Sequence, residues 1–318
     1  MTSPTLRVGS IDIGSNSVRL LVAQLGGSNG LKRLLGQRAM PRLGTGVRST
    51  GMLREQAIEH TVLIVKEFLE LARAMGVKKI LAAGTSAVRE ACNRDLLLQR
   101  LEQATGIRVR VLSGEEEALW AVEGIRWVWS SPPERWLAVD IGGGSSELAL
   151  VEGHGVVGVL SVPLGMVKLT EEYLKEDLPS QKALKNCRDE VRSVLKEAFL
   201  HLGLDGIKGL AVAGTAGTIT TLAALEKAMK NYDGDVIHGT KLEKTAVEKW
   251  LSRLSAMESR HRRLLPGMEP GREDVIVAGA VIVDEFLELA RAEAMMVSDH
   301  GLLEGMARMA PEWGQALV

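Results

Sequence analysis

Aromatic side chains are scarce in this sequence, with three Phe, two Tyr and six Trp among 318 residues. Any core must therefore rest on Leu, Val, Ile, Ala and Met. Cysteine is nearly absent. The two present, Cys92 and Cys187, cannot build a disulfide framework and point to a reducing compartment; both fit helices as small apolar residues. Neither sign of charge is in excess, since 39 basic residues stand against 40 acidic ones. Proteins that coat nucleic acid or an anionic membrane carry a basic surplus, so neither is an expected partner. No apolar run reaches membrane-spanning length. The N-terminus, MTSPTLRVGSIDIG, enters a strand pattern without the basic and apolar regions of a signal peptide. A cytoplasmic location is expected.

What is present describes a globular chain, 46% apolar and 25% charged, long enough for two domains with separate cores. Strand-like and helix-like runs alternate, which argues for an α/β fold. Residues 6–13 and 17–25 read as two strands around a Gly-Ser-Asn turn. Apolar spacing predicts helices over about 54–75, stopped by Gly76, and over 86–104, with strands near 79–83 and 107–112. A further helix starts after Ser113 and Gly114 and runs to about Trp127. SSPPER (130–135) reads as a linker. A second hairpin follows as WLAVDI, the turn GGGS, and ELALV. Helices at about 180–202, 216–230, 241–257 and 272–292, strands at 208–213 and 295–299, and a short C-terminal helix complete the pattern. The expected domains are 1–130 and 131–301, with a helix at about 302–318 packing back on the first.

The two hairpins form a weak internal repeat. SIDIGSNSVRLLV and AVDIGGGSSELALV each read apolar, Asp, Ile, Gly, small polar residues, then an alternating strand. Each opens its own half, which implies two related domains facing each other.

A dinucleotide fingerprint needs a helix after its glycines, and a P-loop needs Gly-Lys-Ser/Thr opening one. Here the alternating ELALV follows, and Gly-Lys-Ser/Thr occurs nowhere. The loop therefore joins two strands. The amides of Gly142, Gly143 and Gly144 can form an anion-binding nest, and Asp140 just before them can hold a cation against phosphate. The plain alternative is a Gly-rich turn with an exposed Asp. The earlier loop, Asp12-Ile13-Gly14-Ser15-Asn16-Ser17, offers hydroxyl, amide and backbone donors beside a second carboxylate; alone it is as well read as an Asx-type turn. Together the two loops describe a cleft for phosphate and Mg²⁺.

Other stretches add candidates. In GTSAVREA (84–91), Thr85 and Ser86 can cap a helix, and Arg89 sits on its first turn against the dipole preference, which favours a phosphate partner over a plain surface Arg. In VLSGEEEALWAVEG (111–124), Ser113 and Glu116 match a capping box. A neighbouring carboxylate facing phosphate could deprotonate a water, and spacing does not choose among Glu115, Glu116 and Glu117. AVAGTAGTIT (211–220) reads equally as a phosphate or nucleoside contact and as a well-capped helix. The run at 258–274 gathers Arg260, His261, Arg262, Arg263 and Arg272. Such runs are usually solvated, but in a neutral chain this one is also the best place for a polyanion to lie. His238, His261 and His300 share no metal-ligand spacing, so structural zinc is not expected.

DIGSNS (12–17), TSAVREA (85–91), SGEEEA (113–118) and DIGGGSSE (140–147) stand in order along the chain. With PLGMVKLTE (163–171), GTAGTIT (214–220), GREDVIVAGA (271–280) and VSDHGLLEG (297–305), the sequence resembles the exopolyphosphatase/guanosine pentaphosphate phosphatase (Ppx/GppA) family over essentially its whole length. The resemblance implies two ribonuclease H-like domains of the actin, hexokinase and Hsp70 type with the active site in the cleft, and Mg²⁺-dependent hydrolysis of a terminal phosphoanhydride. It assigns the catalytic acid to Glu117, directly before Ala118. It makes Asp140 and Glu147 metal- or water-positioning acids, with Asp12 facing them. Phosphate would be bound by Ser15, Asn16, Arg89, Gly142, Gly143, Gly144 and Ser145, with Lys168 and Arg272 near the polyphosphate path. A homodimer is the assembly it implies. Long members carry a C-terminal helical HD-like region that lengthens the polyphosphate channel; this sequence ends after its second domain, which implies shorter polyphosphates. Guanosine pentaphosphate (pppGpp) is the alternative substrate. A kinase on the same fold and a non-catalytic alarmone or polyphosphate sensor are the rivals; Asp12, Glu117, Asp140 and Glu147 together weigh against the sensor.

Overall fold

The computed structural model describes residues 6–26, 30–206 and 209–317. The chain divides into two compact units, one of Met1–Gly124 with Leu302–Val318 and one of Ile125–Gly301.

The first unit opens with an antiparallel meander of β1 (Leu6–Ile13), β2 (Val18–Leu25) and β3 (Leu31–Ala39). After the short α1 (Val47–Thr50), helix α2 (Glu55–Ala74) leads to β4 (Lys79–Gly84), which pairs parallel with β1. Helices α3 (Ser86–Glu90) and α4 (Arg94–Thr105) precede β5 (Val109–Val111), parallel to β4, and α5 (Gly114–Ile125). A central strand between two partners must be apolar on both faces, and β1 is buried from Val8 to Ile13. α2 lays Ile58, Thr61, Val65, Phe68, Leu69 and Ala72 on the core, an i, i+3, i+4 stripe. The chain leaves it through Gly76, whose φ of 73° is open to glycine at no steric cost.

The second unit repeats the plan. β6 (Arg135–Ile141), β7 (Ser146–Glu152) and β8 (Gly155–Val162) form an antiparallel meander. Helices α6 (Met166–Tyr173) and α7 (Gln181–His201) lead to β9 (Ala211–Thr215), parallel to β6. Then come α8 (Ala216–Glu226), α9 (Gly234–Ile237), β10 (Thr240–Glu243), α10 (Lys244–Ser255), α11 (Ser259–Arg262), α12 (Ile276–Ala290) and β11 (Ala294–Val297). The sheet order is β10-β11-β9-β6-β7-β8. α12 runs through the core, and its two buried acids, Asp284 and Glu285, are compensated by Arg188 and Arg192 of α7, which reach them at 2.6–2.7 Å.

The chain then returns to the first unit with α13 (Leu302–Trp313) and β12 (Gln315–Ala316), the latter antiparallel to β4. Leu302, Met306, Ala307 and Ala310 pack with Val8, Leu21 and Leu81 on the sheet face opposite α2. Each unit is thus a meander followed by parallel strands with helices around them, a ribonuclease H-like domain. Among the described residues, no helix is long and apolar enough to cross a membrane.

Several expectations needed correction. The single helix over 86–104 is broken into α3 and α4, because Asn93 turns its side chain to Leu53, accepting from its amide (2.8 Å) and donating to its carbonyl (2.9 Å). The helix expected from 241 begins at Lys244, since Thr240–Glu243 pairs with β11. The strand expected at 208–213 is observed at Ala211–Thr215, and Lys208 lies outside the described residues. Strands β3 and β8 and helix α6 were not anticipated.

Candidate functional site

In the first unit the turn between β1 and β2 closes through the Gly14 amide, which donates to the Ser17 carbonyl (3.0 Å). A second segment grips this turn from outside. The Gly44 amide donates to the Ser15 carbonyl (2.7 Å) and the Arg42 amide to that of Asn16 (3.2 Å). A Cβ on Gly44 would lie 2.7 Å from that of Ser15, so only glycine permits the approach. Asp12, Ser15 and Asn16 are all buried. Register pairs Asp12 with Arg19 across the hairpin, and Arg19 donates from Nε (3.0 Å) and Nη2 (2.6 Å) to the same oxygen, Oδ2. Oδ1 of Asp12 and Nδ2 of Asn16 have no hydrogen-bond partner among the described residues. Two buried polar atoms left in that state cost free energy unless a ligand meets them.

Thr85, at the end of the neighbouring β4, donates its amide to the Ile13 carbonyl (3.2 Å). The first-turn argument for Arg89 does not hold, because α3 is only five residues long and Arg89 lies in its last turn. Its Nη1 instead donates to the Leu112 carbonyl (2.9 Å) and to Oε2 of Glu117 (3.0 Å). The three adjacent acids on α5 separate in structure. Glu115 is exposed. Glu116 closes the capping box with Ser113, in bonds of 2.9 and 3.1 Å, and also pairs with Arg110 (2.6 Å). Burial alone would raise its carboxyl; the Ser113 amide and the Arg110 guanidinium hold it below the usual carboxylate range. Glu117 is buried at 8% exposure and faces Arg89.

The second unit carries the same hairpin with different chemistry. The Gly142 amide donates to the Ser145 carbonyl (3.0 Å), as Gly14 does to Ser17. Carbonyls of Gly142 and Gly143 accept from the Met166 (3.2 Å) and Val167 (2.9 Å) amides at the start of α6, so this helix clamps the glycine turn. A Cβ on Gly165 would lie 2.3 Å from the Gly143 oxygen, a backbone clash. Ser145 is buried, and Lys168 is buried on the same first stretch of α6. Where the first hairpin pairs Asp with Arg, the second pairs Asp140 with Glu147. Both are buried, and Ser161 of β8 donates to Oε1 of Glu147 (2.8 Å). Thr215 of β9 stands opposite Asp140 on the other side, so Ser161, Glu147, Asp140 and Thr215 form one row across the sheet.

From Thr215 the chain enters α8 through Ala216, whose φ of 72° is costly for a residue with a Cβ. Arg272 is buried against this turn and pairs with Glu269 through its Nε. The basic run at 258–274 divides between buried and exposed side chains. Arg262 is buried and donates to three backbone carbonyls, of Leu254 (2.9 Å), Glu273 (2.8 Å) and Asp177 (2.7 Å). Arg260 pairs with Glu258 and Arg263 with Glu273. Arg260, His261 and Arg263 are exposed, Arg262 and Arg272 are buried, and of these arginines Arg272 alone lies against a strand-to-helix turn of the candidate site.

The chain matches the Ppx/GppA phosphatase family over residues 21–310. It belongs to that family. Exopolyphosphatase 2 of Mycobacterium tuberculosis is 34% identical over 95% of this chain and 97% of that protein. The crystal structure of the Aquifex aeolicus Ppx/GppA family member superposes with a TM-score of 0.79 at 35% identity, covering 96% of this chain and 97% of that one. The crystal structure of an exopolyphosphatase-like protein gives a TM-score of 0.89 at 30% identity, with coverage of 96% and 97%. The chain is accordingly a hydrolase of the Ppx/GppA type.

A divalent cation fits this Ppx/GppA chain in a particular way. Among the described residues, no three His, Cys, Asp or Glu side chains gather as a complete metal cage. Each unit separately offers hard oxygen: the first in Oδ1 of Asp12, which has no hydrogen-bond partner among the described residues, and the second in the adjacent carboxylates of Asp140 and Glu147. Mg²⁺ is commonly held by one or two carboxylates with substrate phosphate oxygens completing its shell, and the Asp140–Glu147 pair of the second unit suits that arrangement. Opposed like charges on neighbouring strands also repel, a cost that a cation removes. Four contributors escaped the sequence reading: Arg19, Ser161, Gly165 and Glu269. The seven-residue step from Asp12 to Arg19 recurs from Asp140 to Glu147, so hairpin register was the signal for the first. Ser161 and Glu269 had none.

Proposed function

We propose that this chain hydrolyses the terminal phosphoanhydride of inorganic polyphosphate and releases orthophosphate. The observation that carries the reading is the placement of Glu117: of three adjacent acids one is solvated, one caps the helix, and Glu117 is buried against Arg89. Ser15, Asn16 and Arg89 bind phosphate oxygens, as do the amides at Gly142, Gly143 and Gly144, Ser145, Lys168 and Arg272. The arriving phosphate competes for Nη1 of Arg89, and Glu117, released from that bond, orients a water and takes its proton. Arg19 keeps Asp12 turned with Oδ1 inward, and Ser161 keeps Glu147 in its rotamer. Asp12, Asp140 and Glu147 would hold the cation, Mg²⁺ in this reading, which when bound neutralises charge on the phosphate oxygens. Phosphoryl transfer has a loose transition state, so positioning and charge neutralisation supply most of the acceleration. The reading includes a homodimer, which sedimentation measures.

Orthophosphate release from polyphosphates of graded length and from pppGpp, with Mg²⁺ present or chelated, tests the reading. Release from polyphosphate that stops on chelation supports it. Release from pppGpp alone would transfer the assignment to the nucleotide, and binding of either without release would make the chain a sensor.

A further inference from the structure

Helix α8 carries a glycine in its first turn that helix energetics disfavour. Gly217 has an ordinary φ, outside the left-handed region, so alanine fits its backbone and would stabilise the helix. Its neighbourhood explains the choice. A Cβ built on Gly217 would lie 1.7 Å from Nη2, 1.8 Å from Cζ and 2.1 Å from Nη1 of Arg272. The guanidinium therefore occupies the volume in which any other side chain would begin. Its opposite edge is fixed too, since Nε of Arg272 donates to Oε2 of Glu269. Both partners of this pair are buried, at 3% and 7% exposure, and the Arg272 amide also donates to the Glu269 carbonyl (3.2 Å). The Arg272 carbonyl in turn accepts the Val275 and Ile276 amides at the head of α12.

We infer that Gly217 and Glu269 are positioning residues for Arg272: together they hold its guanidinium flat on the first turn of α8 with the Nη edge set for a phosphate. This rests on the reading of Arg272 as a phosphate ligand. A guanidinium recognises phosphate through a planar fork, so its use depends on orientation more than on charge alone. Gly217 provides the flat seat and Glu269 the anchor at Nε, which also compensates the buried charge. The strained turn at Ala216 brings the helix start directly after Thr215, in the row that contains Asp140. The arrangement sets how tightly phosphate is held and leaves the water-activating carboxylate untouched.

The test is a double-mutant cycle on binding of diimidotriphosphate, a tripolyphosphate analogue whose two bridging nitrogens resist hydrolysis, measured by calorimetry. Gly217→Ala should weaken binding about tenfold, as Arg272→Ala does, and the double variant should be no weaker than either alone. A purely structural effect at Gly217 would instead multiply with the loss of Arg272, and that outcome overturns the inference. Wild-type affinity in Gly217→Ala, or no binding by the wild type, overturns it as well. Should Gly217→Ala fail to fold, Glu269→Gln carries the same cycle, since it removes the anchoring charge at constant volume; its effect must vanish on the Arg272→Ala background. Polyphosphate turnover by the wild type is scored separately. Binding without turnover sinks the hydrolase reading while the cycle still decides the role of Gly217.

Discussion

Glu116 and Glu117 are neighbours on one turn of α5 and serve different ends. Glu116 satisfies the Ser113 amide and balances Arg110, so its removal is a stability change. Glu116→Ala should cost about 1 kcal/mol at pH 7 while leaving kcat within about twofold. Because the fold holds this carboxyl below its ordinary value of 4.5, its contribution is complete above that pH and disappears as pH falls through the folded value. Denaturation of wild type and variant at pH 7 and in acid should show the gap closing below about pH 4.5. Arg262 makes the same point for a cation. Truncating it strands the buried carbonyls of Leu254 and Glu273, frees the part-buried one of Asp177 and leaves a cavity. Arg262→Ala should therefore lose about 3–5 kcal/mol in chemical denaturation, with KM for polyphosphate unchanged in the folded fraction. Within the charge run at 258–274, Arg260, His261 and Arg263 are exposed as such runs usually are, and composition does not reveal that Arg262 and Arg272 turn inward.

At the scale of elements, the glycine turn of β6–β7 depends on α6 as much as on its own residues. The helix amides satisfy two loop carbonyls, and Gly165 allows the contact. Gly165→Ala drives a Cβ into the Gly143 carbonyl, so the turn must open. Turnover should fall by about tenfold or more, with a loss of about 1–3 kcal/mol in stability, read from kcat/KM and thermal melts. The hairpins were readable in the sequence because an Asp, a Gly turn and a period of two coincide. The long helices α2, α7 and α12 were readable from their apolar stripes. Strand β3 was not, since LKRLLGQRA has no clean alternation and lies at a sheet edge. Strand β8 is likewise an edge, interrupted by glycine. The break between α3 and α4 comes from Asn93 bonding to a residue 40 positions away, which no local pattern contains.

Across the molecule, one ribonuclease H-like plan occurs twice and has diverged at the residue that matters. The first copy sets Arg19 opposite its aspartate and the second sets Glu147 there. One aspartate is therefore charge-paired across its hairpin, and the other is opposed by a second carboxylate. The duplication was visible from the two Asp-Gly turns, and the candidate residues were visible from the same motifs. The partners that hold them were not, because Arg89 with Glu117, Ser161 with Glu147 and Glu269 with Arg272 are joined by tertiary packing or by side-chain direction. In the proposed reaction Glu117 activates the attacking water. This role is tested most directly by polyphosphate turnover of Glu117→Gln beside its binding of diimidotriphosphate. kcat should fall by about a hundredfold or more while binding stays within about threefold of wild type. Wild-type kcat in the folded variant would contradict this role.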